Sequence, residues 1–347
     1  MAMQDRLSHG DKSALQKKKI LQSEANKSFE TMPSEVWQQP RNAIAAAMFM
    51  IIGGSASTFR SLLGKGIDFG KHDAFVKGAI AYREKTMAVA KKQFMSVEYR
   101  DLDRIAAACL LLVKAILNGK DGPENADKDF AMVGTLVPGS YLEDTAIRMQ
   151  AAYAVAEKRD DVFLSLLSRY LRRFHKSLYA DAFLTDASKE IHKMNPDDVT
   201  VVAEKQIKSL ESVPDKIRIS ILLKIAEVEL RHGNLNSADA FSQAAGRIRT
   251  SDSKVAISSE LYTAAASVFK EASVADQIAK KYQSRRDNLT PDYGELSDAI
   301  VAIVQKLHAP IVIDQGQKFE PTAVSIEANK LRARSKDLLS IGEGVRK

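Results

Sequence analysis

The sequence predicts an all-α chain, a tetratricopeptide-like α-solenoid of stacked antiparallel helix pairs. Turn signals recur with a fixed beat, and the segments between them carry apolar residues at helical spacing. Glycine, proline and aromatics are too scarce for a loop-rich β protein, with 17 Gly, 9 Pro and 7% aromatic residues. A length of 347 residues holds two domains of about 150 residues each or one continuous array, and either buries a core without staples.

The beat is double. One set of turns falls at Gly64-Lys65-Gly66, Ser96-Val97, Val137-Pro138-Gly139, Lys176-Ser177, Val213-Pro214, Ser251-Asp252 and Thr290-Pro291. A second set lies between them, near Glu84, Gly119 to Gly122, Arg159-Asp160, Asn195-Pro196, Gly233-Asn234 and Ala272-Ser273. Each set repeats with a period of roughly 38 residues in its later members, which describes helix pairs stacked in series.

Between the turns the apolar residues follow helix geometry. Phe163, Leu166, Leu167, Tyr170, Leu171 and Phe174 share one face, leaving Ser165, Ser168, Arg169, Arg172 and Arg173 for water. Ile217, Ile221, Ile225 and Val228 repeat the pattern behind Pro214, which suits a first helical turn. Ala226, Gly233, Ala238 and Ala245 are spaced by seven, five and seven residues, as are the small residues of a tetratricopeptide repeat. Leu222 and Ile225 fill its large apolar positions, but Ser242 stands where an aromatic is expected, with Phe241 beside it.

The predicted organisation is N-terminal helices over 1–33 packing on the array, the helical-repeat array over 34–310, and a linker, capping helix and basic tail over 311–347. Pro310-Ile311-Val312-Ile313 is the single short run with strand character, and Val324 to Leu339 reads as a helix closing the last repeat. The opening Met1-Ala2-Met3-Gln4-Asp5-Arg6 leads into a polar stretch, so no signal peptide is expected. Met-Ala-Met reads as a start placed on a truncated or mature form. The most apolar run, Ala43 to Ile52, is too short for a bilayer, which needs about 20 residues, so a soluble chain is expected.

No enzymatic pattern emerges. The glycines at 64, 66 and 70 follow a helix rather than a strand, so they form a turn and not a dinucleotide fingerprint. There is no phosphate loop and no nucleophile elbow. The six histidines, at 9, 72, 175, 192, 232 and 308, lie in separate segments and read as surface or turn residues. Cys109 sits in an apolar helix with nothing basic beside it, an inert thiol, and as the single cysteine it can form no intrachain disulfide. The pairs Asp101/Asp103 and Asp160/Asp161 stand at helix starts, where carboxylates favour the macrodipole. No catalytic residue, cofactor or metal is expected, and no small-molecule substrate.

The formal charge of +7 is spread over Lys17-Lys18-Lys19, Tyr170 to Lys176 and the stretch from Lys330 to Lys347. Nucleic-acid binding needs such charges on one groove with exposed aromatics, and Tyr170 and Phe174 belong to the apolar face. The basic residues read as solvated helix faces and a tail, with a nucleic-acid-binding repeat as the outside alternative.

Three stretches carry a family resemblance. They are Trp37-Gln38-Gln39-Pro40-Arg41-Asn42-Ala43-Ile44-Ala45-Ala46-Ala47 ending in Gly53-Gly54, then Val137-Pro138-Gly139-Ser140-Tyr141-Leu142-Glu143-Asp144-Thr145-Ala146-Ile147-Arg148. The third is Tyr170-Leu171-Arg172-Arg173-Phe174 followed by Ser177, Tyr179, Ala180 and Phe183. In this order and spacing the chain resembles the MotC family of chemotaxis and motility proteins over about residues 5 to 340. The resemblance implies a periplasmic, non-enzymatic protein that binds the periplasmic part of the stator protein MotB and supports flagellar rotation. It also implies a cleaved leader. A generic tetratricopeptide-like adaptor for another protein client is the alternative. Arg172 and Arg173, on the polar side of their helix in the third stretch, are the candidate partner-binding residues. Ion pairs to acids such as Asp161 or Glu157 are the competing use for them.

Overall fold

In a computed structural model the described residues form eighteen α-helices and two short 3-10 turns, with no strand among them. The described residues are 2–309, apart from 38, 65, 67–68, 120–121 and 286–289. The Pro310–Ile313 run and the expected closing helix lie outside them. The chain divides into a unit over Met1–Val304 and a second over Gln305–Lys347.

The first nine helices are α1 (Ala2–Ser8), α2 (Ser13–Thr31), α3 (Ser34–Trp37), α4 (Pro40–Ile51), α5 (Ala56–Gly64), α6 (Asp73–Arg83), α7 (Met87–Met95), α8 (Arg104–Asn118) and α9 (Pro123–Leu136). Trp37 is buried among the rings of Phe29, Phe59 and Phe69, at centroid distances of 5.7, 5.5 and 6.2 Å. Such edge-to-face contacts add to the apolar area the rings bury. Pro40 opens α4, where its missing N–H leaves no bond unmade. Asn42 Nδ2 donates to the Val36 carbonyl at 2.7 Å, and buried Ala43, Ala46 and Ala47 let α4 approach its neighbours. Asp103 caps α8 by accepting from the backbone N–H groups of Ile105 and Ala106. The W-x-x-P-R-N stretch therefore builds core.

The second set is α10 (Tyr141–Ala156), α11 (Asp160–Phe174), α12 (Ala180–Lys193), α13 (Thr200–Ser209), α14 (Asp215–His232), α15 (Leu235–Gly246), α16 (Ser253–Ser267), α17 (Ala272–Gln283) and α18 (Pro291–His308). Even-numbered helices start at Tyr141, Ala180, Asp215, Ser253 and Pro291, 35 to 39 residues apart. Helix α10 packs on α11, α14 on α15 and α16 on α17, while Gln206 Nε2 of α13 donates to the Ile191 carbonyl of α12. Next-but-one helices also pack, α11 on α13, α12 on α14, α13 on α15 and α14 on α16. Contacts thus run from each pair to its neighbours, as they do in repeat proteins.

The predicted helical face of α11 is buried throughout, from Phe163 to Phe174. Ser168, expected on the wet side, is 4% exposed, because α13 packs there and the Ser168 and Ser212 hydroxyls meet at 3.0 Å. At the most tetratricopeptide-like pair, Ala226, Ala238, Ala245 and Phe241 are fully buried. Gly233 takes φ +80°, the left-handed conformation that ends α14. Ser242, in the aromatic's place, is also fully buried. Its hydroxyl accepts from Thr263 Oγ1 at 2.9 Å and its carbonyl from Ser259 Oγ at 2.8 Å, a polar seam between α15 and α16.

Turns within pairs share a device. Lys85, Lys158, Asp198 and Gly233 each adopt positive φ between the two helices of a pair. Asp198 offsets its strain by reaching into the next repeat. Its carboxylate accepts from the backbone N–H groups of Asn236 and Ser237 at 2.8 and 2.7 Å, capping α15 from outside. Asn195 adds a bond to Ser237 Oγ at 2.9 Å, and Asn234 returns one to the Asn195 carbonyl at 3.2 Å.

Candidate protein-docking surface

The second and third resemblance stretches meet in space, where α10, α11 and α12 join. Ser140 and Glu143 form a shifted capping box at the start of α10. The Ser140 hydroxyl accepts from the Glu143 N–H at 3.3 Å, and Glu143 Oε2 accepts from the Gly139 N–H at 2.6 Å. Glu143 is 1% exposed, a costly place for a lone carboxylate. Two arginines of α11 compensate it, Arg169 Nη2 to Oε1 at 2.7 Å and Arg173 Nη2 to Oε2 at 2.9 Å.

Asp144, fully buried, is held in the same way. It accepts from Arg148 Nε at 2.7 Å and from the Ser177 hydroxyl at 2.7 Å, and the Arg148 guanidinium lies 4.6 Å over the Tyr179 ring. Burial and the nearby Asp144 charge together push the Tyr170 phenol well above its ordinary range. Helix α1 docks on this joint. Asp5 Oδ1 accepts from the Tyr141 N–H at 2.8 Å, and the Leu7 carbonyl accepts from the Leu178 N–H at 3.1 Å. Gly10 makes the approach possible, since a Cβ there would stand 2.6 Å from the Lys176 carbonyl oxygen.

The two candidate arginines divide here. Arg173 is committed to Glu143, while Arg172 Nη1 donates to Ser168 Oγ at 3.1 Å and to Ser212 Oγ, bridging α11 to the turn before α14. Neither pairs with the acids expected for them. Asp161 pairs with Lys205 at 2.6 Å, and Glu157 with Arg159 at 3.1 Å. Arg172 lines a polar concavity of about 400 Å³ between α11 and α13, with Asp161, Lys205 and Lys208 on its walls. A separate groove of about 420 Å³, lined by α10, α12 and Phe163, is walled mostly by apolar side chains, including Met149, Val155 and Phe183.

The other expected groups fall as follows. Cys109 is fully buried, and burial pushes its thiol up to about 12, far from a reactive thiolate. His72 lies in a 3-10 turn but is buried, with α4 and α6 both packed on that turn; burial holds its pKa below the ordinary value. His192 and His232, separate in sequence, stack at 4.0 Å across α12 and α14, and His192 Nδ1 lies 3.0 Å from buried Glu229. Among the described residues no group of three or more His, Cys, Asp or Glu could hold a metal ion. No described helix is long and apolar enough to cross a membrane. Sequence reasoning missed Glu143 and Asp144 as organising residues, although Ser140-x-x-Glu143 is a legible capping signal.

The comparisons with known proteins agree with the motifs. The family sequence model described as "Chemotaxis protein MotC" matches residues 1–339. A relative named chemotaxis protein MotC, from Rhizobium meliloti (strain 1021), is 23% identical over 310 residues, covering 86% of this chain and 70% of the relative. No solved structure matches. With the match running through every helix described above, the chain belongs to the MotC family of chemotaxis proteins.

Proposed function

We propose that this chain is a non-enzymatic docking scaffold of the flagellar motor, a solenoid that binds the periplasmic part of the stator protein MotB. The observation that supports the reading most is the family match over residues 1–339, set on helix pairs that pack neighbour to neighbour. Repeat arrays of this kind present extended surfaces and act by holding another chain. Two concavities occur along α10 to α13, one mainly apolar and one charged, and such variety suits a polypeptide partner. To influence rotation the scaffold must bind one state of the stator more tightly than another, since equal affinity shifts nothing.

Pull-down of the purified periplasmic domain of MotB with this chain tests the partner. Retention at micromolar concentration is expected, and no retention with both partners folded overturns it. Fractionation of the native gene product tests the compartment, with a periplasmic signal expected and a cytosolic one excluding it.

A further inference from the structure

The concavity between α11 and α13 carries an unbalanced charge. Its walls hold Arg172, Lys205 and Lys208 against one carboxylate, Asp161. Serines line the hollow from both sides, Ser165 and Ser168 on α11 and Ser209 and Ser212 opposite, with Ser168 buried. Long side chains at those positions would fill it.

The three cations differ in their commitments. Arg172 uses Nη1 for the Ser168 and Ser212 hydroxyls, which fixes the guanidinium plane. Its Nε–Nη2 edge has no partner among the described residues, and that edge is the fork that binds a carboxylate with two parallel hydrogen bonds. Lys208 likewise has no acidic partner among the described residues. Lys205 holds Asp161 in a pair whose side chains are 63% and 75% exposed, a contact weak enough to exchange for an incoming acid.

We propose that this concavity is a carboxylate-binding site, taking an Asp or Glu side chain from an acidic segment of a protein partner. Arg172 is the bidentate anchor, Lys208 supplies the second charge, and Lys205 exchanges Asp161 for the arriving acid. The serine pair positions Arg172 without neutralising it, so the site is pre-organised and remains positive. The proposal rests on the chain being a protein-docking scaffold, but not on MotB being the partner.

The test uses the full chain and fluorescein-labelled hexaglutamate, with hexaglutamine as the uncharged control, read by fluorescence anisotropy at low salt. Hexaglutamate is expected to bind at least tenfold tighter than hexaglutamine. Arg172→Gln with Lys208→Gln should weaken it at least fivefold, while Lys216→Gln leaves it unchanged. Lys208→Gln alone, at a side chain with no described partner, guards against misfolding and should weaken binding at least twofold with an unaltered circular dichroism spectrum. Equal binding of the two peptides, or no effect of the double variant, overturns the proposal. So does an oligonucleotide that binds tighter than hexaglutamate and loses affinity in the double variant. If the periplasmic domain of MotB fails to bind while hexaglutamate still requires Arg172 and Lys208, the stator reading falls and the site stands. If that domain binds wild type and double variant equally and hexaglutamate does so too, the site falls alone.

Discussion

Adjacent arginines in one helical turn have separate fates. Arg173 compensates the buried Glu143 carboxylate, whereas Arg172 rests on two serines. Glu143→Ala should destabilise the fold by about 2–3 kcal/mol, because it unmakes a capping bond and two charge-assisted bonds at once. Arg173→Glu sets two carboxylates together and should cost about 1–2 kcal/mol, whereas Arg172→Gln should stay within about 1 kcal/mol. Urea denaturation midpoints check all three. A charge reversal of both arginines together would mix a folding defect with any loss of binding.

Cys109 gives a pH prediction at the same scale. Its thiol is raised by burial from 9.0 to about 12, so the folded state resists losing that proton. Stability linked to the group is complete below pH 9 and declines as the pH climbs towards 12, by about 1.4 kcal/mol per unit. In Cys109→Ala that part of the slope should vanish, measured by denaturation at a series of alkaline pH values. Ellman's reagent should react with the wild-type thiol only after unfolding.

At the scale of the element, strained turns within the pairs separate two kinds of residue. Lys158 has φ +56° and an exposed side chain with no described partner, so Lys158→Gly should stabilise by about 0.5–1 kcal/mol. Asp198 has φ +53°, yet Asp198→Gly should destabilise by about 1–2 kcal/mol, because its carboxylate caps α15. Thermal melts decide, and shifts of the same sign would refute this account. Elements were also the most legible level of the sequence. Gly233, Val213-Pro214 and the face from Phe163 to Phe174 announce themselves because turn chemistry and helical periodicity are local. The Glu143–Arg173 pair spans 30 residues, the Asp5–Tyr141 bond 136, and the His192–His232 stack 40. Such contacts depend on which helices become neighbours, and no local pattern encodes them. Ser168 was misplaced for the same reason, since one helix's periodicity does not reveal a second helix packed across its polar stripe.

At the scale of the Met1–Val304 unit, the apolar interior is a succession of clusters. One surrounds Trp37, another joins α8 to α10, a third centres on α11 to α15, and a fourth gathers Leu261, Ala264, Tyr282 and Ile300. A chain whose cores touch only their neighbours should lose structure in pieces. Leu261→Ala, at a fully buried position, should cost about 2–4 kcal/mol and accelerate amide exchange in α16 and α17 while leaving α4 to α8 nearly unchanged. Hydrogen exchange read by mass spectrometry checks this, and a uniform rise along the chain would mean one cooperative unit.

The seat of α1 on the α10–α12 joint sets a schedule for synthesis. Leu7 cannot meet its partner until residue 178 has been made, which at ordinary elongation rates comes roughly 9–35 s later. Through that interval α1 lacks its seat on the joint, while α4 to α8 can already assemble around Trp37. Helix α1, made before the α10–α12 joint, therefore finds its place only after that joint exists.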